Sequence, residues 1–308
     1  MQTTNTVLMI RPARFAFNPD TAVNNRFQRP PLDPLSAQHK ALKEFDGYVD
    51  TLRQHGVEVL VVQDTPAPHT PDSIFPNNWW SSHADGSLVL YPMEGQNRRL
   101  ERNKGVLQVL EQRFAINTTI DLSHLEQQNI FLEGTGSMVL DRKHRISYAC
   151  HSGRTHHAAL RQFAERLDYQ LCVFHALDRH QAPIYHSNVM MSVGRDLAVV
   201  CLQALPDDSE RLALERSLRD TGKDILSLDF DQLEAFAGNM LEVHDRDGQP
   251  LLVMSASAWG ALQPAQRQHV ERHTRPVVVN IDNIERIGGG SARCMLAEVH
   301  LPARPSFQ

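Results

Sequence analysis

A paired-strand, helix, strand pattern recurs five times along the 308 residues, and this recurrence constrains the fold more than any other feature of the sequence. Helical periodicity of apolar positions marks the first helix through Leu42, Phe45, Val49 and Leu52, with Ser36 as its cap and Gly56 closing it. Four further helices are expected over residues 98–114, 155–167, 209–221 and 264–273. Each helix leads into a short apolar or β-branched strand: 57–62, 116–120, 169–174, 224–228 and 276–281. Strand pairs fill the gaps, reading as 75–81 with 87–91, 130–140 with 146–150, 186–193 with 197–202, and 239–244 with 251–255. Hairpin dipeptides such as Asp85-Gly86 and Asp247-Gly248 sit between paired strands. A doubly wound sheet needs single strands alternating with helices, so the pairs argue against it. The fifth pair joins 292–301 to the N-terminal 7–10, and this strand borrowed from the N-terminus closes the ring and removes exposed edges. The expectation is an α/β propeller with five blades of ββαβ units, occupying residues 1–308 as one domain.

Composition narrows the classes of function. The net charge of −5 is spread along the sequence, which offers no basic stripe for a nucleic-acid backbone. No run approaches the roughly 20 apolar residues of a bilayer span, and Met1-Gln2-Thr3-Thr4 lacks the layout of a secretory signal. A cytoplasmic protein without a membrane partner is expected. Cys150, Cys172, Cys201 and Cys294 show no CxxC spacing, which argues against a zinc knuckle or a disulfide framework.

The first strand of each unit carries a polar residue near its start: Asn78, Glu133, His186, Asn239 and Cys294, at steps of 55, 53, 53 and 55 residues. Rotation about a central axis would gather these five around one small space. Sulfur, imidazole and carboxylate then meet, which is the set a thiol nucleophile needs. Cys294 follows the flexible run Gly288-Gly289-Gly290-Ser291-Ala292 and lies beside Arg293, a cation that favours thiolate. The other three cysteines read as small buried hydrophobes. Among the 16 histidines, His156, His157 and His269 read as solvated positions on helices, whereas His186 stands out by its phase in the repeat. Glu133 lies among apolar neighbours, where a carboxylate needs a partner. Gly134-Thr135-Gly136 lacks the Lys-Ser/Thr continuation of a phosphate loop.

The constellation Phe75-Pro76-Asn77-Asn78, Leu132-Glu133-Gly134-Thr135-Gly136, His186 and Cys294 resembles the pentein superfamily of guanidine-modifying enzymes. Within it the sequence looks closest to the bacterial citrulline-utilization hydrolases labelled amidinotransferase-like, and more distantly resembles dimethylarginine hydrolases. The resemblance implies a cofactor-free and metal-free cysteine hydrolase with Cys294 as nucleophile, His186 as general acid and base, and Glu133 as its carboxylate. It further implies that Arg98 and Arg154 hold a substrate carboxylate, that Asp72 is a substrate-side aspartate, and that a homodimer is plausible. Two positions depart from the family pattern: Asn77-Asn78 stand where an acidic residue is common, and Asn188 where deiminases carry a second aspartate. Asparagine offers both a donor and an acceptor, which suits a neutral ureido group better than a guanidinium. Citrulline hydrolysis to ornithine, ammonia and carbon dioxide is therefore the expected reaction. Alternatives are an arginine deiminase, a dimethylarginine hydrolase or an amidinotransferase, and a non-catalytic propeller that only binds. Asn239 joins the substrate-side set, and residues 18–34 are a candidate lid.

Overall fold

The computed structural model describes residues 1–304; residues 305–308, the end of the span read as one domain, lie outside the described residues. Five three-stranded sheets form, and in each the middle strand runs antiparallel to the inner strand and parallel to the outer one. From inner to outer, four of them are Trp80–Ser82, Ser87–Leu90 and Thr118–Asp121; Val139–Asp141, Ile146–Cys150 and Gln170–Phe174; Met191–Val193, Leu197–Val200 and Asp224–Ser227; Leu241–His244, Pro250–Ser255 and Arg275–Val279. The remaining sheet takes Ala297–Glu298 from near the C-terminus and Thr6–Arg11 with Glu58–Gln63 from the N-terminal part. Val7 lies opposite Glu298 in that sheet, so the ring closes through backbone hydrogen bonds and hides two strand edges. Crossover helices Pro34–Gln54, Val106–Arg113, His157–Leu167, Asp208–Asp220 and Pro264–His273 connect middle to outer strands.

Position in the sheet explains the sequence of each strand. Val7 to Ile10, in a middle strand covered on both faces, are all buried, whereas the outer Glu58–Gln63 mixes buried and exposed residues. Helix His157–Leu167 buries Ala159, Leu160, Phe163, Ala164 and Leu167, one stripe of a 3.6-residue period. A fully buried Leu or Phe on that stripe contributes about 1.5–3 kcal/mol. No helix among the described residues is long and apolar enough to cross a membrane.

Three expectations need correction. Ser36 lies inside the first helix, donating to the Asp33 carbonyl, because the helix begins at Pro34. The segment 98–114 is not one helix; it breaks at Gly105, whose φ of +77° is a left-handed conformation no helix continues through. The inner strands start later than expected, since their first residues fold into single helical turns: Pro76–Asn78, Gly134–Ser137, Ser187–Met190 and Ala292–Met295. These turns pack on one another around the centre, where five segments converge and extended pairing ends.

Candidate active site

Glu133 stands at the start of the turn Gly134–Ser137, where its own N–H donates to Ser137 Oγ at 2.9 Å. Its side chain is fully buried and fully engaged. Oε2 accepts from His186 Nε2 at 2.9 Å and Arg154 Nη1 at 3.4 Å, while Oε1 accepts the Glu94 N–H at 3.0 Å. Burial alone would raise this carboxyl, but the Arg154 charge and the His186 hydrogen bond outweigh it and hold the group well below the usual range. His186, at the start of the next turn, is lowered to about 4, because burial exceeds the opposing pull of Glu133. The imidazole is neutral at pH 7. A carboxylate only accepts, so Nε2 carries the proton and Nδ1 is left as the basic nitrogen.

Backbone proximity holds that ring in place. A Cβ on Gly136 would lie 2.8 Å from His186 Nδ1 and Cε1 and 2.4 Å from Asn78 Nδ2, so only glycine lets the two side chains close over this turn.

Cys294 sits in the turn Ala292–Met295, with 6% of its surface exposed. Two amide donors face its sulfur: Asn239 Nδ2 at 3.3 Å and Asn188 Nδ2 at 3.5 Å. Asn239 is itself held, its Nδ2 shared with the Asn188 carbonyl at 2.8 Å and its Oδ1 accepting the Arg293 N–H at 3.1 Å. Cys294 and His186 exchange no direct hydrogen bond; Asn188, two residues past His186, connects their neighbourhoods. The Arg293 side chain does not serve the sulfur. It turns instead to the Leu296 carbonyl and Glu298 Oε2, at 2.9 and 2.7 Å, because the buried Glu298 needs a cation. Burial pushes the thiols of Cys150, Cys172 and Cys201 up to about 11.

The two arginines are less open than the sequence implied. Arg98 is buried, with Nε and Nη2 on Glu101 at 2.9 and 3.1 Å, Nη1 on Asn78 Oδ1 at 2.6 Å and Nη2 on the Phe75 carbonyl at 2.9 Å. Its donors thus meet protein acceptors rather than an open cleft. Arg154 reaches Glu133, the Thr21 carbonyl at 2.9 Å, Asn24 Oδ1 and Glu94, and its guanidinium lies 5.0 Å from the Tyr185 ring. Asp72 Oδ2 accepts from Asn18 Nδ2 at 2.7 Å and Thr21 Oγ1 at 2.9 Å, and burial raises its pKa. Asn77 Nδ2 meets Thr135 Oγ1 at 3.3 Å.

Residues 18–34 therefore lie across the site, held by Asp72, by Arg154, and by Asn25 and Gln28 on the Gly289 and Gly288 carbonyls. A cavity of about 1000 Å³ lies on the other side of this segment, walled by Val23, Phe27, Tyr185 and Phe236, and takes no wall from Cys294, His186 or Glu133. Sequence reasoning missed Glu101, Glu94, Asn18, Thr21 and Asn24. The Arg98–Glu101 spacing of one helical turn was a usable signal for the first; the others are distant in sequence and carry none.

Four buried polar atoms among these residues have no partner: Asp72 Oδ1, Asn77 Oδ1, Asn78 Nδ2 and Asn188 Oδ1. Unmet groups of this kind are uncommon in protein interiors, and a site awaiting a polar ligand accounts for their concentration.

Comparison with solved structures bears on the fold. ArgZ, an arginine dihydrolase from the ornithine-ammonia cycle in Cyanobacteria, aligns at a TM-score of 0.73 and 18% identity, over 97% of this chain. The protein spans 41% of ArgZ's length. The N-terminal domain of ArgZ, solved with a covalently bound reaction intermediate, aligns over 96% of this chain and 99% of that domain at a TM-score of 0.72 and 18% identity. A cysteine-to-serine mutant of DDAH from Pseudomonas aeruginosa, complexed with citrulline, aligns over 97% of this chain and 100% of its own at 0.65 and 15% identity. Comparison with curated proteins by sequence gives no match. The sequence pattern of the family described as N,N dimethylarginine dimethylhydrolase, eukaryotic, does match, over residues 11–301. With nearly the whole sequence matched and the five-sheet ring in common, the protein belongs to the dimethylarginine dimethylhydrolase family of the pentein superfamily of guanidino-modifying enzymes.

Proposed function

We propose that the protein is a cofactor-free cysteine hydrolase that cleaves the terminal C–N bond of an arginine-like amino acid, with citrulline as substrate. The observation that carries this reading is the set of unpartnered buried atoms, three acceptors and one donor. Arg98 donates to Asn78 Oδ1, which fixes that amide with Nδ2 as the free donor. A ureido group has one carbonyl to receive such a donor and N–H groups for the acceptors. A guanidinium brings donors only and leaves Asn78 Nδ2 unmet.

The proposed chemistry begins with the proton of Cys294 passing to His186 Nδ1 as sulfur adds to the ureido carbon. Asn239 and Asn188 donate to the sulfur and hold its developing negative charge. Glu133 stabilises the imidazolium that forms, through Nε2. The bond between the ureido carbon and the ornithine nitrogen then breaks with its electrons going to that nitrogen, which takes the proton from Nδ1; ornithine departs and an S-carbamoyl group remains on Cys294. Water gives a proton to Nδ1 and adds to the carbamoyl carbon. Collapse expels the thiol, which recovers its proton from Nδ1, and releases carbamate, which decays to ammonia and carbon dioxide.

A second reading, hydrolysis of a guanidino substrate such as arginine or a methylarginine, is favoured by one observation: Asp72 keeps a carboxylate oxygen without a partner. It also accords with the names of the relatives, an arginine dihydrolase and a dimethylarginine hydrolase. Product analysis with citrulline, arginine, dimethylarginine and agmatine supplied separately distinguishes the two. Ornithine and ammonia from citrulline support the ureido reading, and turnover of arginine with none of citrulline refutes it. Asn78→Asp is expected to shift preference toward the cationic guanidines. Inactivity toward all four, with the wild type matching Cys294→Ser, would favour a binding protein.

A further inference from the structure

His269 and His273 stand one helical turn apart on Pro264–His273, so their imidazoles leave the same face of the helix. Opposite them, Asp224 opens the outer strand Asp224–Ser227 of the neighbouring sheet. Both Nε2 atoms reach the same carboxylate oxygen, Oδ2, at 2.7 Å from His269 and 3.0 Å from His273. The rings lie 5.6 Å apart between centroids, and the three ligand-capable atoms fall within 4.8 Å of one another. The histidine side chains are 19% and 23% exposed, and the Asp224 side chain 48%, so solvent reaches the cluster from one side. His269 is therefore not the freely solvated residue its place on a helix implied.

We propose that Asp224, His269 and His273 form a binding site for a divalent transition-metal ion of the zinc class, with water completing the coordination. Two imidazoles and one carboxylate, with a fourth position open, are a ligand set that zinc accepts. Zinc–ligand bonds of about 2.0–2.2 Å in a tetrahedron put neighbouring ligand atoms about 3.3 Å apart. Each His–Asp contact then opens by a few tenths of an ångström, which a half-exposed Asp224 allows. The carboxylate is already anionic, since the hydrogen bonds from His273 and His269 lower its pKa.

The protons balance simply. A neutral ring that donates through Nε2 releases that proton to water and takes one at Nδ1, freeing the Nε2 lone pair for the metal. A doubly protonated ring releases one proton to solvent. No oxidation change occurs. The bound ion would tie the outer strand of one unit to the crossover helix of the next, and stabilise the ring by mass action.

The test uses the full-length protein, stripped with a chelator and titrated with Zn²⁺ alone, with affinity read by competition against a chromophoric chelator and the melting midpoint followed in parallel. Cys294→Ser serves as the background, since the candidate nucleophile is itself a zinc-capable thiol. One equivalent should bind and raise the midpoint in that background. His269→Gln and His273→Gln, each made separately so that one misfolded variant does not void the experiment, should weaken binding by at least about tenfold and abolish the zinc-induced shift. Loss of binding on Cys294→Ser alone, or unchanged affinity in both histidine variants, would overturn the proposal. So would the absence of any binding to the wild-type protein.

Discussion

Replacing Glu133 with glutamine keeps the shape of the side chain and removes its charge, at the place where the proposed reaction creates an imidazolium. His186 Nε2 lies 2.9 Å from the carboxylate, and the two side chains are 4% and 0% exposed. Unit charges about 3–4 Å apart at an effective dielectric constant of about 20 attract by about 4–6 kcal/mol. Each 1.36 kcal/mol is tenfold in rate, so the loss amounts to about three to four powers of ten in kcat. Arg154 adds to the penalty, since its cation then faces His186 without the intervening anion. It keeps Glu94 at 3.2 Å and Asn24, so the variant is expected to fold, which thermal denaturation checks. The pH profile separates this electrostatic role from mere support of the ring. With His186 at about 4, the wild-type acid limb of kcat/KM falls near pH 4, well below an ordinary histidine, because the base must be neutral to take the thiol proton. Removing Glu133 takes away a group that raises His186, so the limb moves further down. A Glu133→Gln enzyme within tenfold of wild type, or a limb near pH 6.5 in either protein, would refute the reasoning.

Gly136→Ala should cut kcat by about a hundredfold, since the new methyl displaces His186 and Asn78 by a fraction of an ångström or more; unaltered kinetics would show that the turn does not hold the ring. Lys223 pairs with Asp141 at 3.0 Å with both side chains fully buried, so Lys223→Ala should destabilise the fold by about 3–5 kcal/mol in urea denaturation while leaving KM unchanged. Thiol-directed labelling near pH 7.5 should modify Cys294 ahead of Cys150, Cys172 and Cys201, which burial holds at about 11; equal labelling by peptide mass analysis would contradict the special environment of the Cys294 sulfur.

The ring of five sheets was legible because it follows from local chemistry repeated along the sequence. Apolar alternation, the hairpin at Asp85-Gly86, where Gly86 takes φ +86°, and helices with one apolar stripe are all short-range signals. The near-constant interval between Asn78, Glu133, His186, Asn239 and Cys294 likewise announced that these residues share a position in their units. Ring closure turns equal phase into proximity, and the structure brings Glu133 against His186 and Asn239 against Cys294.

The partners and protonation of those residues belong to the tertiary structure alone. That Arg293 turns to Glu298, that Arg98 is absorbed by Glu101 and Asn78, and that residues 18–34 lie on Asp72 and Arg154 depend on contacts between segments far apart in sequence. Burial then decides which charge persists: the same low-dielectric interior that neutralises His186 leaves Glu133 ionised, because one has a single anion beside it and the other a cation and a hydrogen-bond donor. A linear sequence specifies residue types and their period, but desolvation and pairing are properties of the volume around a residue, and that volume exists only once the ring has closed.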